Sequence, residues 1–294
     1  MSRSSAAAVD FDNDLEGREY AFSDDDFRVL AQAAKKHAGI TLSDAKRSLI
    51  YSRLSRRLRA LGMTSFAEYR ALLERPEGEG EIEKFINSVT TNYTKFFREG
   101  HHFEHLTSEV VGRFSREHGA KGGGRLRIWS AGCSTGEEPY TIALVLKREI
   151  AGLARQDVKL LATDIDTDVL GKASRGRYPA AALDEIPDKY QSGLVVDRDA
   201  DQASQVGFTP EVRSLISFGH LNLMEPWPFS GLFDAIFCRN VIIYFDAPTK
   251  LKLIERFVRQ LKPQGHLYIG HSESLVGASL GLRLVGRTTY RKES

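Results

Sequence analysis

The chain has 294 residues, 41 Lys and Arg against 39 Asp and Glu, and a net charge of +2. At about 100–200 residues per domain this predicts two domains, and 41% hydrophobic with 27% charged content excludes wholesale disorder. The near-zero net charge excludes a general polyanion binder, no apolar run approaches the ~20 residues of a membrane span, and two cysteines, Cys133 and Cys238, cannot make a disulfide framework, which fits a reducing cytoplasm.

Residues 1–21 read as a disordered acidic tail, with Asp10, Asp12, Asp14, Glu16 and Glu19 facing only Arg3 and Arg18. From Phe22 the pattern is helical. Ser23 before Asp24, Asp25 and Asp26 is a helix start, with acids on the positive end of the dipole. Phe27, Leu30, Ala34 and His37 continue it, and Gly39 ends it. A second helix from near Ser43 has one apolar stripe, Leu49, Ile50, Leu54, Leu58 and Leu61. Its other side carries Lys46, Arg47, Arg53, Arg56, Arg57 and Arg59. Ser65 opens a third helix with Phe66 and Tyr69, and Glu81 to Val89 reads as a fourth. Residues 22–90 are therefore expected to form an all-helical domain, and residues 91–294 a second domain.

Thr90 to Arg98 is a polar and aromatic run where the fourth helix ends. Helix caps and core phenylalanines explain Phe96 and Phe97 but leave Asn92, Thr94 and Arg98 together unexplained. His101-His102 gives no metal site by pattern, because adjacent helical residues share no face and no companion ligand motif follows. After Lys121 to Gly124, strands alternate with helices. Strands are expected at Arg125–Ser130, Lys159–Thr163, Phe233–Cys238 and His266–Gly270, with helices at Pro139–Ile150, Asp168–Ser174 and Thr249–Leu261. This rhythm predicts an α/β domain with a parallel sheet and helices on both faces. Residues 178–218 break it, and are expected to form a small β insertion with strand pieces at Gly193–Val196 and Leu215–Phe218.

Trp129 to Tyr140 lies between the first strand and helix, where a nucleotide-type loop belongs. Gly132 and Gly136 permit close ligand approach. Glu137 and Glu138 at the helix start suit a cationic ligand better than a pyrophosphate, and S-adenosylmethionine carries an ammonium and a sulfonium. A plain strand–turn–helix is the alternative. Asp164 ends the second strand, where an acid binds ribose hydroxyls in dinucleotide folds. Asn222 and Arg239-Asn240 also fall at strand ends, so a nucleoside-like cofactor is favoured. Tyr244 is either a residue of the site or a core aromatic.

Together these segments resemble the bacterial chemotaxis receptor (protein-glutamate) O-methyltransferases. The matching motifs are Asn92 to Phe103, Trp129 to Tyr140, Ala162 to Asp166, Phe233 to Phe245, Leu261-Lys262-Pro263 and Gly270-His271-Ser272-Glu273-Ser274, in the family's order. The resemblance implies a Rossmann-like methyltransferase domain with an inserted β-subdomain, preceded by a helical domain. It implies S-adenosylmethionine as cofactor, S-adenosylhomocysteine as product, and glutamate methyl esters on chemoreceptors as the outcome. Asn92, Thr94, Arg98, Gly132, Glu137, Asp164, Asn222, Leu223, Arg239 and Asn240 are then expected around the cofactor, with Arg98 and Tyr244 handling the substrate carboxylate. Tyr93 stands where many members have Glu, and Ser134 where a Gly is common. A glycine-bracketed loop that grips a receptor peptide is not seen between Tyr190 and Phe218, so direct docking is expected. Lys46, Arg53, Arg56, Arg57 and Arg59 supply a basic stripe for the acidic cytoplasmic helices of a receptor; the bland alternative is a solvated face. A cytoplasmic monomer is expected, with no nucleic acid and no membrane insertion. The rival functions are methylation of RNA or a small molecule, and a non-catalytic cofactor-binding module that docks to receptors.

Overall fold

The computed structural model describes residues 19–197, 205–275 and 280–293. Two compact units emerge, one of residues up to Ala34 with Leu42–Val89, the other of Lys35–Thr41 with the chain from Thr90 onward. Most of the expected tail lies outside the described residues.

The first unit is built from α1 (Asp24–Ala38, its last turn grouped with the other unit), α2 (Arg47–Leu61), α3 (Phe66–Leu73) and α4 (Glu79–Val89). Ser23 and Asp26 cap α1 reciprocally. The Asp26 N–H donates to Ser23 Oγ at 3.1 Å and the Ser23 N–H to Asp26 Oδ2 at 2.9 Å. Ser65 caps α3 by accepting from the Glu68 N–H at 3.2 Å. The expected boundary at Phe22 is too late. Tyr20 is buried, its ring centroid 6.2 Å from that of Phe66, and its N–H donates to Tyr51 Oη at 3.2 Å. An apolar pair, Tyr20 and Phe22, packs at the end of a polar stretch whose composition conceals it. The apolar stripe of α2 is also narrower than expected. Ile50, Leu54 and Leu58 are buried, while Leu49 and Leu61 are 43% and 37% exposed.

The second unit opens with α5 (His101–His105), a π-helical run (Leu106–Val111) and α6 (Gly112–His118). Its sheet contains β1 (Arg125–Ala131), β2 (Asp157–Asp164), β6 (Ile216–His220), β7 (Phe233–Cys238) and β8 (Leu261–Ile269), all parallel to their neighbours among these five. A hairpin of β9 (Leu282–Gly286) and β10 (Thr289–Lys292) adds antiparallel to β8. The order is β6-β2-β1-β7-β8-β10-β9. The direction of winding reverses between β1 and β7, and an open α/β sheet forms its ligand crevice at that point, outside the carboxyl ends of the strands. Helices α7 (Glu137–Glu149), α8 (Thr167–Arg175) and α10 (Ala247–Gln260) connect the strands, with a short α9 (Pro210–Arg213).

A separate three-stranded sheet, β3 (Tyr178–Pro179), β5 (Gln205–Phe208) and β4 (Leu194–Asp197), is the inserted subdomain. Leu215–Phe218, expected within it, is a correction. Ile216–His220 pairs in parallel with Leu160–Asp164 and completes the main sheet. Its half-buried edge pattern resembles the insertion's short strands, and only the long-range pairing separates them. The stretch expected to lack a peptide-gripping loop includes residues 198–204, outside the described residues.

One core lies under α7 and the α5–α6 helix, with Leu126, Ile128, Tyr140, Leu144, Phe103 and Phe237. The opposite face packs Trp129 and Phe233 with Leu253, Ile254 and Phe257 of α10. Trp129 donates its Nε1–H to Thr163 Oγ1 at 2.9 Å, so its one polar atom is satisfied.

Two core histidines make this packing pH-sensitive. Burial is the first cause in both. It pushes His102, next to Arg239, and His266, near His105, down to about 3. In the unfolded chain each titrates near ~6.5. Between those values the unfolded state binds more protons, so stability is complete above ~6.5 and is lost as pH falls, by up to about 1.4 kcal/mol per pH unit for each ring. Thermal unfolding midpoints should therefore drop steadily from pH 6.5 to 4.5, and His266→Asn should reduce that slope by one proton. A midpoint unchanged over that range would contradict the burial of both rings as neutral bases.

Candidate active site

Five segments leave the carboxyl ends of parallel strands, and together they make the site. After β1 the chain turns through Gly132 to Gly136 into α7. Gly132 has φ +86°, and a Cβ there would collide with Val241 beyond β7. Only glycine lets these two loops close on each other. The turn is tied to β2 by the N–H groups of Gly132 and Cys133, which donate to Thr163 O at 2.8 and 2.9 Å.

Asp164, the last residue of β2, is buried. Its Oδ2 accepts the Ser134 N–H at 2.7 Å and its Oδ1 the Asp166 N–H at 3.0 Å. Burial pushes its carboxyl up, against the backbone donors of Asp166, Ser134 and Ile165 that pull it down. Each carboxylate oxygen accepts more than one hydrogen bond, so this acid is fixed in place with acceptor capacity left. Asp166 caps α8 through the Asp168 and Val169 N–H groups. Its other oxygen accepts from Thr90 Oγ1 at 2.8 Å and Asn92 Nδ2 at 2.7 Å. Ser134 Oγ donates to Asn92 O at 3.0 Å. The Thr90–Asn92 segment is thus sewn to the mouth of β2. Leu221, just beyond β6, donates its N–H to Asp164 O at 3.0 Å. The next residue, Asn222, uses its amide locally, donating to His37 O and Glu225 Oε1 and accepting the Met224 N–H. Leu223 is buried, and Thr94 half-buried.

A buried charge chain crosses the centre. Arg239, one residue past β7, pairs with Glu138 Oε2 at 3.1 Å and lies 3.5 Å from Glu99 Oε2, and its other terminal nitrogen donates to Arg98 O. Glu138 also accepts from Ser130 Oγ at 2.7 Å. Burial pushes Glu138 up despite Arg239. In Glu99 burial pulls upward too, but Arg239 and His271 outweigh it and the carboxyl falls below its ordinary range. Glu137 turns aside and accepts from Thr135 Oγ1 at 2.6 Å, with burial pushing its carboxyl up. Arg98 itself donates to Tyr93 O at 2.8 Å and rests 5.4 Å above the Tyr93 ring centroid. No carboxylate pairs with it among the described residues. Tyr244 is half-buried, and its hydroxyl reaches Thr91 O at 3.4 Å. Six non-glycine described residues have positive φ, and four of them, Phe97, Glu99, Ser134 and Asn240, lie in these segments. Each such conformation costs about 1–3 kcal/mol and persists where surrounding structure enforces it, commonly at a working site.

Two expectations need correction. His101 and His102 do converge despite adjacency, with ring centroids 4.2 Å apart, and with Glu99 they bring three ligand-type atoms within 4.8 Å. Both histidines lie in the first turn of α5, and the third member, Glu99, reaches them from the segment before the helix, where its φ is +57°. A cation in this group would confront Arg239, already 3.5 Å from Glu99 Oε2. In the basic stripe, Arg57 is no docking residue. It makes a bidentate pair with buried Glu81, which also accepts from Tyr69 Oη at 2.9 Å. Arg56 and Arg59 are exposed, with Arg59 3.2 Å from Glu19, while Lys46 and Arg53 are half-buried. Glu138, Asp166, Glu99 and Glu273 were missed as site residues. Each lies inside a motif already singled out, and Glu138 and Glu99 directly follow the chosen Glu137 and Arg98.

The family described as CheR methyltransferase, SAM binding domain, matches residues 92–291, and that described as CheR methyltransferase, all-alpha domain, matches residues 25–90. The chain belongs to the CheR methyltransferase family. It is similar to the probable chemotaxis protein methyltransferase of Rhizobium etli, at 44% identity over 86% of this chain and 94% of that one. Chemotaxis protein methyltransferase 2 of Pseudomonas aeruginosa is 43% identical over 93% and 95% of the two chains. The chemotaxis protein methyltransferase of Escherichia coli is 42% identical over 92% and 91%. The chain is an S-adenosylmethionine-dependent methyltransferase, a Rossmann-like catalytic domain preceded by an all-helical one. No helix among the described residues is long and apolar enough to cross a membrane. The donors present fit the cofactor. A buried carboxylate with spare acceptor capacity ends β2, and acids rather than lysines open α7.

If Asp164 holds cofactor hydroxyls, Asp164→Ala should weaken S-adenosylhomocysteine binding by about 10- to 100-fold, the loss of one or two hydrogen bonds to a charged acceptor. Titration calorimetry measures it, and an affinity within about threefold of the parent would remove Asp164 from the site.

Proposed function

We propose that this enzyme transfers methyl groups from S-adenosylmethionine to glutamate side-chain carboxylates of chemoreceptors, forming methyl esters in the cytoplasmic helical region of the receptor. One observation carries the choice of a carboxylate acceptor. Of the two arginines at the centre, Arg239 is neutralised by Glu138 and Glu99, while Arg98 has no carboxylate partner among the described residues.

When bound, the cofactor supplies a methyl group on a positively charged sulfur. Glutamate titrates near ~4.3 and is already ionised at neutral pH, so no residue has to remove a proton. The task is positioning, with the attacking oxygen held about 3–3.5 Å from the carbon it attacks. Arg98 and Tyr244 orient the carboxylate in this reading, and Asp164, Asn92, Thr94, Asn222, Leu223, Arg239 and Asn240 surround the cofactor. The half-stored position of Arg98 on the Tyr93 ring suits a residue that must grip an anion weakly. A fully engaged guanidinium would draw electron density from the nucleophile.

The exposed part of the α2 stripe, Arg56 and Arg59 with the half-buried Lys46 and Arg53, suits an acidic helical partner. The one aromatic residue of α2, Tyr51, packs in the helical core 5.7 Å from Phe22 and offers bases no stacking platform, which favours a protein over RNA. Two sets of variants test the proposal, with methyl-labelled cofactor, receptor-bearing membranes, and label counted as methanol released by mild alkali. Arg98→Ala should lower kcat by about 100-fold, the scale of a misplaced reactant, with little change in cofactor affinity. An equal loss in affinity would instead put Arg98 on the cofactor's own carboxylate. Arg56→Glu should cut receptor methylation at low salt by about tenfold, a difference that fades as salt screens it. Arg57→Ala should act differently, costing about 3–5 kcal/mol of stability because it strands Glu81, as read by urea unfolding. Label stable to alkali would exclude ester formation.

A further inference from the structure

The segment that follows β8, Gly270-His271-Ser272-Glu273, takes no part in the reading above, yet it touches both arms that carry the proposed substrate residues. Glu273 is 2% exposed. Its Oε2 accepts the N–H of Asn240 at 3.0 Å and that of Gly270, and its Oε1 accepts the N–H of Ile243 at 3.1 Å. Ile243 directly precedes Tyr244. Two residues before Glu273, His271 faces the other arm. Its Nδ1 lies 2.9 Å from Glu99 Oε1, and its N–H donates to the same oxygen at 3.3 Å. Glu99 directly follows Arg98. The turn closes on itself through the Glu273 N–H to Gly270 O bond at 2.9 Å.

Two of the three residues gripped on these arms, Glu99 and Asn240, also need backbone support. Glu99 and Asn240 hold φ of +57° and +59°, left-handed values that non-glycine residues keep only when neighbours enforce them. Gly270 is part of the same fit, since a Cβ there would strike the Asn240 side chain and backbone. A buried carboxylate could have been satisfied by any nearby donors. Here its donors come from two strand exits, so it joins them.

We infer that the Gly270–Glu273 turn is a two-armed clamp that sets the spacing between Arg98 and Tyr244, with His271 and Glu273 as its positioning residues. This rests on the reading that Arg98 and Tyr244 orient the substrate carboxylate. The clamp makes no contact with the reacting atoms. It holds the Arg98 arm through Glu99 and the Tyr244 arm through the amides of Asn240 and Ile243.

The test uses the full-length enzyme, saturating cofactor and receptor-bearing membranes. Glu273→Gln keeps the shape but offers only one acceptor oxygen to three N–H groups. It should lower kcat by about tenfold or more, the consequence of misplacing a catalytic arm, in protein that remains folded at the assay temperature. His271 is 66% exposed in its side chain, so its replacement does not threaten folding. His271→Ala should lower kcat by about three- to tenfold. His271→Asn, whose amide presents a donor where Nδ1 stood, should restore it. A purely structural role would shift the unfolding midpoint and leave kcat of the folded enzyme alone. The clamp also predicts coupling: Tyr244→Phe should cost less in the Glu273→Gln background than in the parent, a double-mutant cycle closing with about threefold or more non-additivity. Folded Glu273→Gln and His271→Ala enzymes that keep kcat within about twofold of the parent, or a strictly additive cycle, would overturn the inference. If Arg98→Ala and Tyr244→Phe themselves leave kcat unchanged, the reading of those two residues fails and the clamp falls with it. If they lower it while the clamp variants do not, the clamp alone is wrong.

Discussion

The catalytic unit depends on a guanidinium buried at the point where its sheet reverses. Arg239 side-chain exposure is 3%, and those of Glu138 and Glu99 are 11% and 9%. Taking such charges out of water costs several kcal/mol per ion unless they are paired and hydrogen-bonded, and removing one partner costs about 3–5 kcal/mol because the other is stranded. The pairing is therefore obligatory, and it dictates where chain segments go. Glu138 anchors the start of α7 and, through Ser130, the end of β1. Arg239 anchors the exit of β7. The Arg98 carbonyl and the Glu99 carboxylate bring in the segment that precedes α5. Glu99 in turn holds His271 at the exit of β8. Four pieces of backbone far apart in sequence share one electrostatic requirement.

Around that centre, the polar residues divide by what neutralises them. Glu138 and Glu99 answer a guanidinium. Asp164 and Glu273 answer backbone N–H groups, among them those of Ser134 and Asp166 for the first and of Asn240, Ile243 and Gly270 for the second. Asp166 answers a helix N-terminus and the side chains of Thr90 and Asn92. In each case an acid at or facing a strand exit fixes a neighbouring loop. A parallel sheet ends with a row of such loops, and nothing in the strands themselves specifies how the loops meet. The carboxylates supply that specification, because a buried acceptor with a net charge tolerates few arrangements of donors.

Much of this was legible in the sequence because parallel strands announce their ends. The buried runs at Arg125–Ala131 and Phe233–Cys238 stop where Gly132 and Arg239-Asn240 begin, so the polar residues at their mouths stood out. What stayed hidden depends on pairing across the chain. Ile216–His220 is a half-buried edge strand, and its membership in the main sheet rests on β2 rather than on its own pattern. Arg57 looks like its neighbours Arg56 and Arg59 along α2, and only Glu81, on α4, removes it from the basic face. Tyr20 and Phe22 sit at the end of a stretch whose composition argues for disorder, yet both are buried against Phe66. His101 and His102 meet Glu99 because the left-handed turn before α5 carries that residue back to them, which no spacing pattern shows.

The chemistry proposed for this site explains why it is built from fixed charges rather than from a titrating acid–base pair. An ionised carboxylate attacking a cationic methyl donor gives up no proton and needs none returned. A free general base near the methyl donor would be a competing nucleophile, so every carboxylate close by is best committed to another partner. Asp164, Asp166, Glu138 and Glu273 each accept from at least two protein groups, Glu137 is turned onto Thr135, and Glu99 accepts from His271 through Oε1 while its Oε2 faces Arg239 at 3.5 Å. Arg98 has no carboxylate partner among the described residues, and it has the sign needed to receive an incoming carboxylate. The same commitments that stabilise the strand exits thus protect the donor from the enzyme's own acids.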